Sequence, residues 1–164
     1  QKPITGAVLA GLMGTYSQTV NMVNAPLLAK ERGLDVREIR HEREGAFQTL
    51  ISVEAMTPNG PRRVAGTLFG KDNPRLVELF GIEIEAELTG SMLYVVNTDT
   101  PGFIGKLGTA LGDAGINIAT FNLGRRKARG DAASLIAVDG SIGDNHLASL
   151  RQLDGVRKVV ALHF

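Results

Sequence analysis

Shifts in apolar periodicity along the 164 residues predict an α+β protein in two parts, residues 1–90 and 91–164, the second with a βαββαβ order. Three observations carry that class. The first 33 residues repeat their apolar positions at helical spacing. From Phe47 to Leu88 the spacing changes to that of strands separated by Gly and Pro turns. From Ser91 onward strand-like and helix-like runs alternate as strand, helix, strand, strand, helix, strand.

In the first part, Ile4, Val8, Leu9, Leu12 and Met13 predict a helix between Pro3 and Tyr16. A second helix contains Val23, Leu27, Leu28 and Ala29. Pro26 is compatible only with a first turn, so this helix starts near Asn24, and Gly33 supplies its stop. Leu34–His41 is expected as a strand. Phe47–Met56 and Arg62–Phe69 flank the turn Thr57-Pro58-Asn59-Gly60 and predict an antiparallel pair. Leu76–Phe80 follows. In Ile82–Leu88 the residues Ile82, Ile84, Ala86 and Leu88 alternate with Glu83, Glu85 and Glu87, describing a strand with one wet face. Thr89-Gly90 is the expected boundary.

In the second part, the unbroken apolar run Met92–Val96 suits a central buried strand. Thr100-Pro101 reads as a helix start, and the stripe Phe103, Ile104, Leu107, Ala110, Leu111 and Ala114 runs to Gly115. Asn117–Leu123 and Ala132–Val138 are strands joined by a polar hairpin over Arg125–Asp131. A short helix carries Leu147, Leu150 and Leu153, and Val156–Phe164 is the last strand. Two helices on one face of a four-stranded antiparallel sheet would bury the apolar sides of both layers.

Composition narrows the chemistry. With 43% hydrophobic residues the chain can build a packed core without staples. Formal charge is −1 over residues 1–90 (10 basic, 11 acidic) and +2 over residues 91–164 (8 basic, 6 acidic). Neither part has the one-sided basic surface of a nucleic-acid binder, and Trp is absent. The absence of Cys excludes thiol nucleophiles, Cys-based zinc and iron–sulfur ligation, and fits a cytoplasmic protein. No apolar run approaches a membrane span. The start Gln1-Lys2-Pro3, without an initiator Met, suggests a fragment of a longer polypeptide.

Catalytic patterns are missing. Gly66-Thr67-Leu68-Phe69-Gly70-Lys71 is one residue short of a phosphate loop, and Asp72 stands where a Ser or Thr is needed. Gly102, Gly105 and Gly108 lie inside a helix instead of before it, so they are not a dinucleotide fingerprint; close helix–sheet packing is the expectation for them. His41, His146 and His163 fall in separate elements without ligand spacing, so neither a metal site nor a catalytic residue is assigned.

Two loops carry more specific possibilities. Asn97-Thr98-Asp99-Thr100-Pro101-Gly102 sets a carboxylate beside a helix N-terminus. Spacing alone favours Asp99 or Thr100 as a cap, worth about 1 kcal/mol. The alternative is a zwitterion site, with Asp99 meeting an ammonium and free N–H groups receiving a carboxylate. In Gly115-Ile116-Asn117-Ile118, Asn117 either holds a turn or offers a donor and an acceptor to a ligand. The cluster Arg125, Arg126, Lys127 and Arg129 reads as a solvated hairpin tip, with an anion contact as the alternative. Arg62, Arg63, Lys71 and Arg75 lie near turns and could gather an anion or remain ordinary surface charges.

The run LYVVNTDTPGFIGKLGTALGDAGINIATFNLGR, Leu93 to Arg125, resembles the ferredoxin-like ACT regulatory domain. TVNMVNAPLLAKERGLDV (Thr19–Val36) and RRVAGTLFGKDNPRLVELFG (Arg62–Gly81) resemble the allosteric substrate-binding (ASB) segment of long-form D-3-phosphoglycerate dehydrogenases. The resemblance implies an N-terminally truncated ASB domain over residues 1–90 and an ACT domain over residues 91–164. It also implies a parent oxidoreductase that uses NAD in the first committed step of L-serine synthesis, with the catalytic domains upstream and no cofactor in this part.

What the family implies for sites follows by matching motifs. Asn97, Asp99 and Asn117, with backbone near Pro101, Gly102 and Ile116, would bind L-serine as feedback effector, between ACT domains of a homo-oligomer. Arg75 matches a basic position of the ASB effector site, whereas two other basic positions of that site appear here as Glu87 and Ala137. Alternatives are the regulatory part of an iron–sulfur L-serine dehydratase and an oligomerisation module without a ligand.

Overall fold

The computed structural model describes residues 2–39, 47, 49–126 and 130–164. Its contacts divide the chain into two compact units, residues 1–45 and 46–164.

In the first unit, α1 (Lys2–Gly14) and α2 (Ala25–Glu31) form a helical hairpin. Leu9 and Met13 of α1 bury against Ala25 and Ala29 of α2, the small residues allowing close approach. The start of α2 is set by two asparagines. Asn21 Oδ1 accepts from the N–H groups of Val23 (2.9 Å) and Asn24 (3.1 Å), and Asn24 Oδ1 accepts from Asn21 N–H (2.8 Å). Pro26 then sits in the first turn, where its missing N–H costs nothing. Gly33 takes φ +74° after the last turn, as a helix stop requires. The strand expected over Leu34–His41 is absent from its described part, Leu34–Ile39, where every residue is exposed and none joins a ladder. Among the described residues it has no second strand to pair with; residues 40 and 41 lie outside the described residues.

The second unit holds two four-stranded antiparallel sheets. The first is a meander of β1 (Leu50–Thr57), β2 (Gly60–Phe69), β3 (Asn73–Leu79) and β4 (Ile82–Ala86) in that spatial order. Phe80 (φ +52°) and Gly81 (φ +81°) make the two-residue turn between β3 and β4, the mirror-image turn that tight hairpins favour. The apparent phosphate-loop run Gly66–Lys71 is the end of β2 and its turn.

The second sheet is built from β5 (Ser91–Thr98), β6 (Ile118–Arg125), β7 (Asp131–Val138) and β8 (Val156–His163), in spatial order β6-β7-β5-β8. With α3 (Phe103–Asp113) after β5 and α4 (Asp144–Arg151) after β7, this is the predicted βαββαβ, ferredoxin-like arrangement. Leu93 and Val95 of β5 and Ile136 and Val138 of β7 meet Phe103, Leu107 and Leu111 of α3 and Leu147 and Leu150 of α4.

The other face of this sheet is also dry. Met92, Tyr94, Ala133, Leu135 and Ala137 meet Ile82, Ile84 and Ala86, the apolar side of β4. That explains the unbroken apolar run of β5, which has no wet side to alternate with. The fit depends on Gly124 of β6, where a Cβ would lie 2.4 Å from the Glu83 carbonyl oxygen and 2.5 Å from Ile82 Cγ2. Phe80 and Tyr94 add an edge-on aromatic contact with centroids 6.0 Å apart. The predicted boundary at Thr89-Gly90 falls between β4 and β5, in the short link joining the sheets.

Among the described residues, no helix is long and apolar enough to cross a membrane. No described group of three or more His, Cys, Asp or Glu side chains is placed to hold a metal ion.

Candidate functional site

The loop after β5 is tied on both sides before α3 begins. Thr98 N–H donates to Gly155 O (2.9 Å), and Asp99 N–H donates to Gly130 O (2.6 Å). Pro101 and Gly102 then reverse the chain, with Gly102 at φ +84° as the residue preceding α3. A side chain at that position would be strained, which is the local reason for glycine.

This geometry corrects the favoured capping assignment. The cap position belongs to Gly102, and no side chain caps α3. The first helical N–H, that of Phe103, donates to the backbone carbonyl of Thr100 at 3.3 Å across the left-handed turn at Gly102, so neither the Asp99 nor the Thr100 side chain serves as its cap. The Asp99 carboxylate instead faces Arg125, with Oδ2 3.2 Å from Nε.

A hollow of about 350 Å³ opens at this point, lined by Asn97, Asp99, Pro101–Gly105, Leu123 and Arg125 among others. Asn97 is only 3% exposed. Its Nδ2 donates to Thr98 O at 2.8 Å, while its buried Oδ1 has no hydrogen-bond partner. A buried amide oxygen without a donor is uncommon and costs about 1–3 kcal/mol. The hollow therefore combines a carboxylate, a guanidinium, an unsatisfied acceptor and an uncapped helix start. Such a set can receive a small molecule carrying both charges.

Of the positions expected to form one site, the structure brings Asn97, Asp99, Pro101 and Gly102 together and leaves Ile116 and Asn117 apart. Asn97 stands opposite Ala132, whereas Ile118, next after Asn117, stands opposite Val138 at the far end of β7. At strand spacing those two rows are about 20 Å apart. Asn117 donates from Nδ2 to Asp139 Oδ2 at 2.6 Å and accepts from Asp139 N–H through its carbonyl at 3.0 Å, which is its turn-holding role. Ile116 is buried in the core beneath α3.

Arg125 is the residue that sequence reasoning left on the solvated hairpin. It stands opposite Ala132 from the other side, so Asn97, Ala132 and Arg125 form one cross-strand row. Residues in one row share a sheet face, and Asn97 and Arg125 thus flank the hollow. Counting the β6–β7 pairing back from its hairpin was the signal that could have found it. Arg126 points elsewhere, donating from Nη2 to Phe80 O at 2.8 Å. Lys127 and Arg129 lie outside the described residues, as does His41. His146 Nδ1 accepts from Gly143 N–H at 3.2 Å at the start of α4, and His163 lies exposed near the end of β8.

The glycines of α3 also differ from expectation. A Cβ at Gly105, Gly108 or Gly112 would meet nothing within 4 Å, so they do not serve close helix–sheet packing; the helix turns Phe103, Leu107 and Leu111 to the sheet instead.

The arginines of the first sheet each have a local contact. The Arg62 guanidinium stacks over the Phe80 ring at 5.6 Å. Arg63 Nε donates to Ser52 Oγ at 2.8 Å and lies 3.5 Å from Glu78. Arg75 pairs with Glu87 at 3.0 Å, so the acidic residue expected to weaken an anion site there neutralises its remaining arginine. Lys71 lies exposed in the turn after β2. Neighbouring strand residues point to opposite faces, so Arg62 and Arg63 do not converge.

Comparison with known proteins adds a second line of observation. Residues 1–80 match the D-3-phosphoglycerate dehydrogenase intervening domain. Over 157 residues, 95% of this chain, it is 34% identical to a D-3-phosphoglycerate dehydrogenase of Bacillus subtilis and 30% identical to one of Synechocystis. It is 27% identical over 161 residues to that of Methanocaldococcus jannaschii. The chain spans about 30% of the length of these curated relatives, 30%, 28% and 30% respectively.

Proposed function

We propose that this chain is a regulatory region of a D-3-phosphoglycerate dehydrogenase and binds L-serine as a feedback effector; the match of residues 1–80 to that enzyme's intervening domain and the 34% identity over 157 residues support the assignment. In this reading the region itself is not catalytic. The NAD-dependent oxidation of 3-phosphoglycerate belongs to other domains of the same cytoplasmic polypeptide. The matched intervening-domain family favours this over an iron–sulfur dehydratase.

The observation that carries the reading is the hollow at the start of α3. Asp99 suits an ammonium group, the uncapped first turn suits a carboxylate, and the unsatisfied Asn97 Oδ1 can accept from the ammonium or the hydroxyl. A hollow of about 350 Å³ lies within the range of small-molecule sites. Asn117, at the far end of the same sheet, joins such a site only from a second copy of the chain. Serine would then lie between Asn97 and Asp99 of one copy and Asn117 of the other. The site is complete only in the oligomer, so ligand binding favours one arrangement of copies and biases the enzyme through that preference.

Calorimetry and thermal melting of the full chain with L-serine test this. Binding heat and a rise in melting temperature are expected, with about 2.7 kcal/mol of stabilisation at a hundredfold excess over the dissociation constant. Asp99→Ala should abolish binding, and Asn117→Ala should weaken it together with copy–copy association. The absence of both heat and stabilisation at millimolar serine would overturn the reading.

A further inference from the structure

We propose that Arg125 sets the specificity of the hollow, holding the carboxylate of the ligand together with the first turn of α3 while Asp99 takes its ammonium. This rests on the amino-acid reading above and deepens it by naming the residue that makes a free carboxylate a requirement.

Three observations converge on Arg125. It lines the hollow together with Asn97 and Asp99. Its place in the row Asn97–Ala132–Arg125 puts it on the same sheet face as Asn97, about 10 Å away across two strand spacings. Its Nε lies 3.2 Å from Asp99 Oδ2, and among the described residues no hydrogen bond ties down its two terminal nitrogens.

The planar guanidinium presents a two-pronged donor edge that matches a carboxylate, which an ammonium cannot do. Its side chain is 67% exposed and that of Asp99 is 32% exposed, so the pair between them is screened by water and can open to a ligand. Once a zwitterion enters, each of its charges meets the opposite charge of one member of the pair. No net charge is added to the site. A cation without a carboxylate would compete with Arg125 for Asp99, and an anion without an ammonium would leave Asp99 repelling it. The Asp99–Arg125 pair thus rejects both.

The test compares L-serine with L-serinamide, which keeps the ammonium and hydroxyl and lacks the carboxylate, on the full chain and on Arg125→Ala and Arg125→Lys. Arg125→Ala is expected to weaken L-serine roughly 30-fold, the loss of a charge-assisted pair. The same variant should bind L-serinamide more tightly than the unaltered chain does, because Asp99 is released. Arg125→Lys, retaining the charge without the fork, should lose roughly tenfold on L-serine. A general structural defect would weaken both ligands together, so opposite changes are the signature.

L-serine affinity in Arg125→Ala within threefold of the unaltered chain, or improved, would overturn the role of Arg125 and leave the serine reading intact. So would a parallel loss of both ligands. Silence of the unaltered chain toward L-serine overturns the serine reading and this proposal with it.

Discussion

The two antiparallel sheets of residues 46–164 have four strands each, yet they use them differently. In β1 of the first sheet no residue is fully buried, whereas in β7 of the second every residue after Asp131 is. The second sheet lies between α3 and α4 on one face and chiefly β4 on the other, while the first lends that sandwich its β4 side together with Leu79 and Phe80. Strand number therefore says little about where stability resides. The number of covered faces decides it, and the most resistant part of this unit should be β5 and β7.

Truncating one apolar side chain on each sheet is the strongest way to break that comparison. Leu93→Ala, at a position 0% exposed, should cost about 2–5 kcal/mol in denaturant unfolding, whereas Ile51→Ala, at 49% exposure, should stay within about 0.5 kcal/mol. Equal losses would mean that the first sheet carries a core of its own.

Gly124→Ala probes the contact between sheets. Its methyl group would collide with the backbone at Glu83, which cannot swing aside as a flexible side chain could, and a loss of about 1–3 kcal/mol is expected. A neutral result would show that β4 does not seat tightly on the second sheet.

The smallest expected effect is alkaline. Burial raises the Tyr94 phenol above its ordinary value of 10.0, and nearby Arg62 and Arg126 only partly oppose it. The unfolded chain therefore ionises first. The contribution of the neutral phenol is fully present below pH 10 and is lost as pH rises through the folded value. Melting temperatures of the unaltered chain should accordingly fall more steeply above pH 10 than those of Tyr94→Phe. Parallel curves would remove Tyr94 from the contact between sheets.

Much of this fold was legible in local pattern. The helical stripe of α3, the Ile–Glu alternation of β4 and the apolar run of β5 each reflect a periodicity that burial imposes on the chain. The loop holding Asn97 and Asp99 was legible too, because a carboxylate beside Pro-Gly at a helix start is a local feature. The errors have a common origin. Leu34–Ile39 reads locally as a strand yet lacks a neighbour to pair with among the described residues, and pairing is not a local property. Asp99 has the spacing of a cap, but the left-handed turn at Gly102 takes it away from the helix. Arg125 looked like one of several hairpin charges, and only strand register sets it across from Asn97 and beside Asp99.

By itself the amino-acid sequence determined the order of elements apart from the strand expected over Leu34–His41, the βαββαβ unit and the loop that lines the hollow. All three depend on residues close together in the chain, whose periodicity and turn chemistry act over a few positions. Tertiary structure alone decided that the second sheet is dry on both faces, that Arg125 joins Asp99, and that Asn117 stands some 20 Å from them. Those outcomes depend on which strands pair and in what register. Backbone hydrogen bonding and the burial of whole faces settle that choice only when the complete sheet has formed.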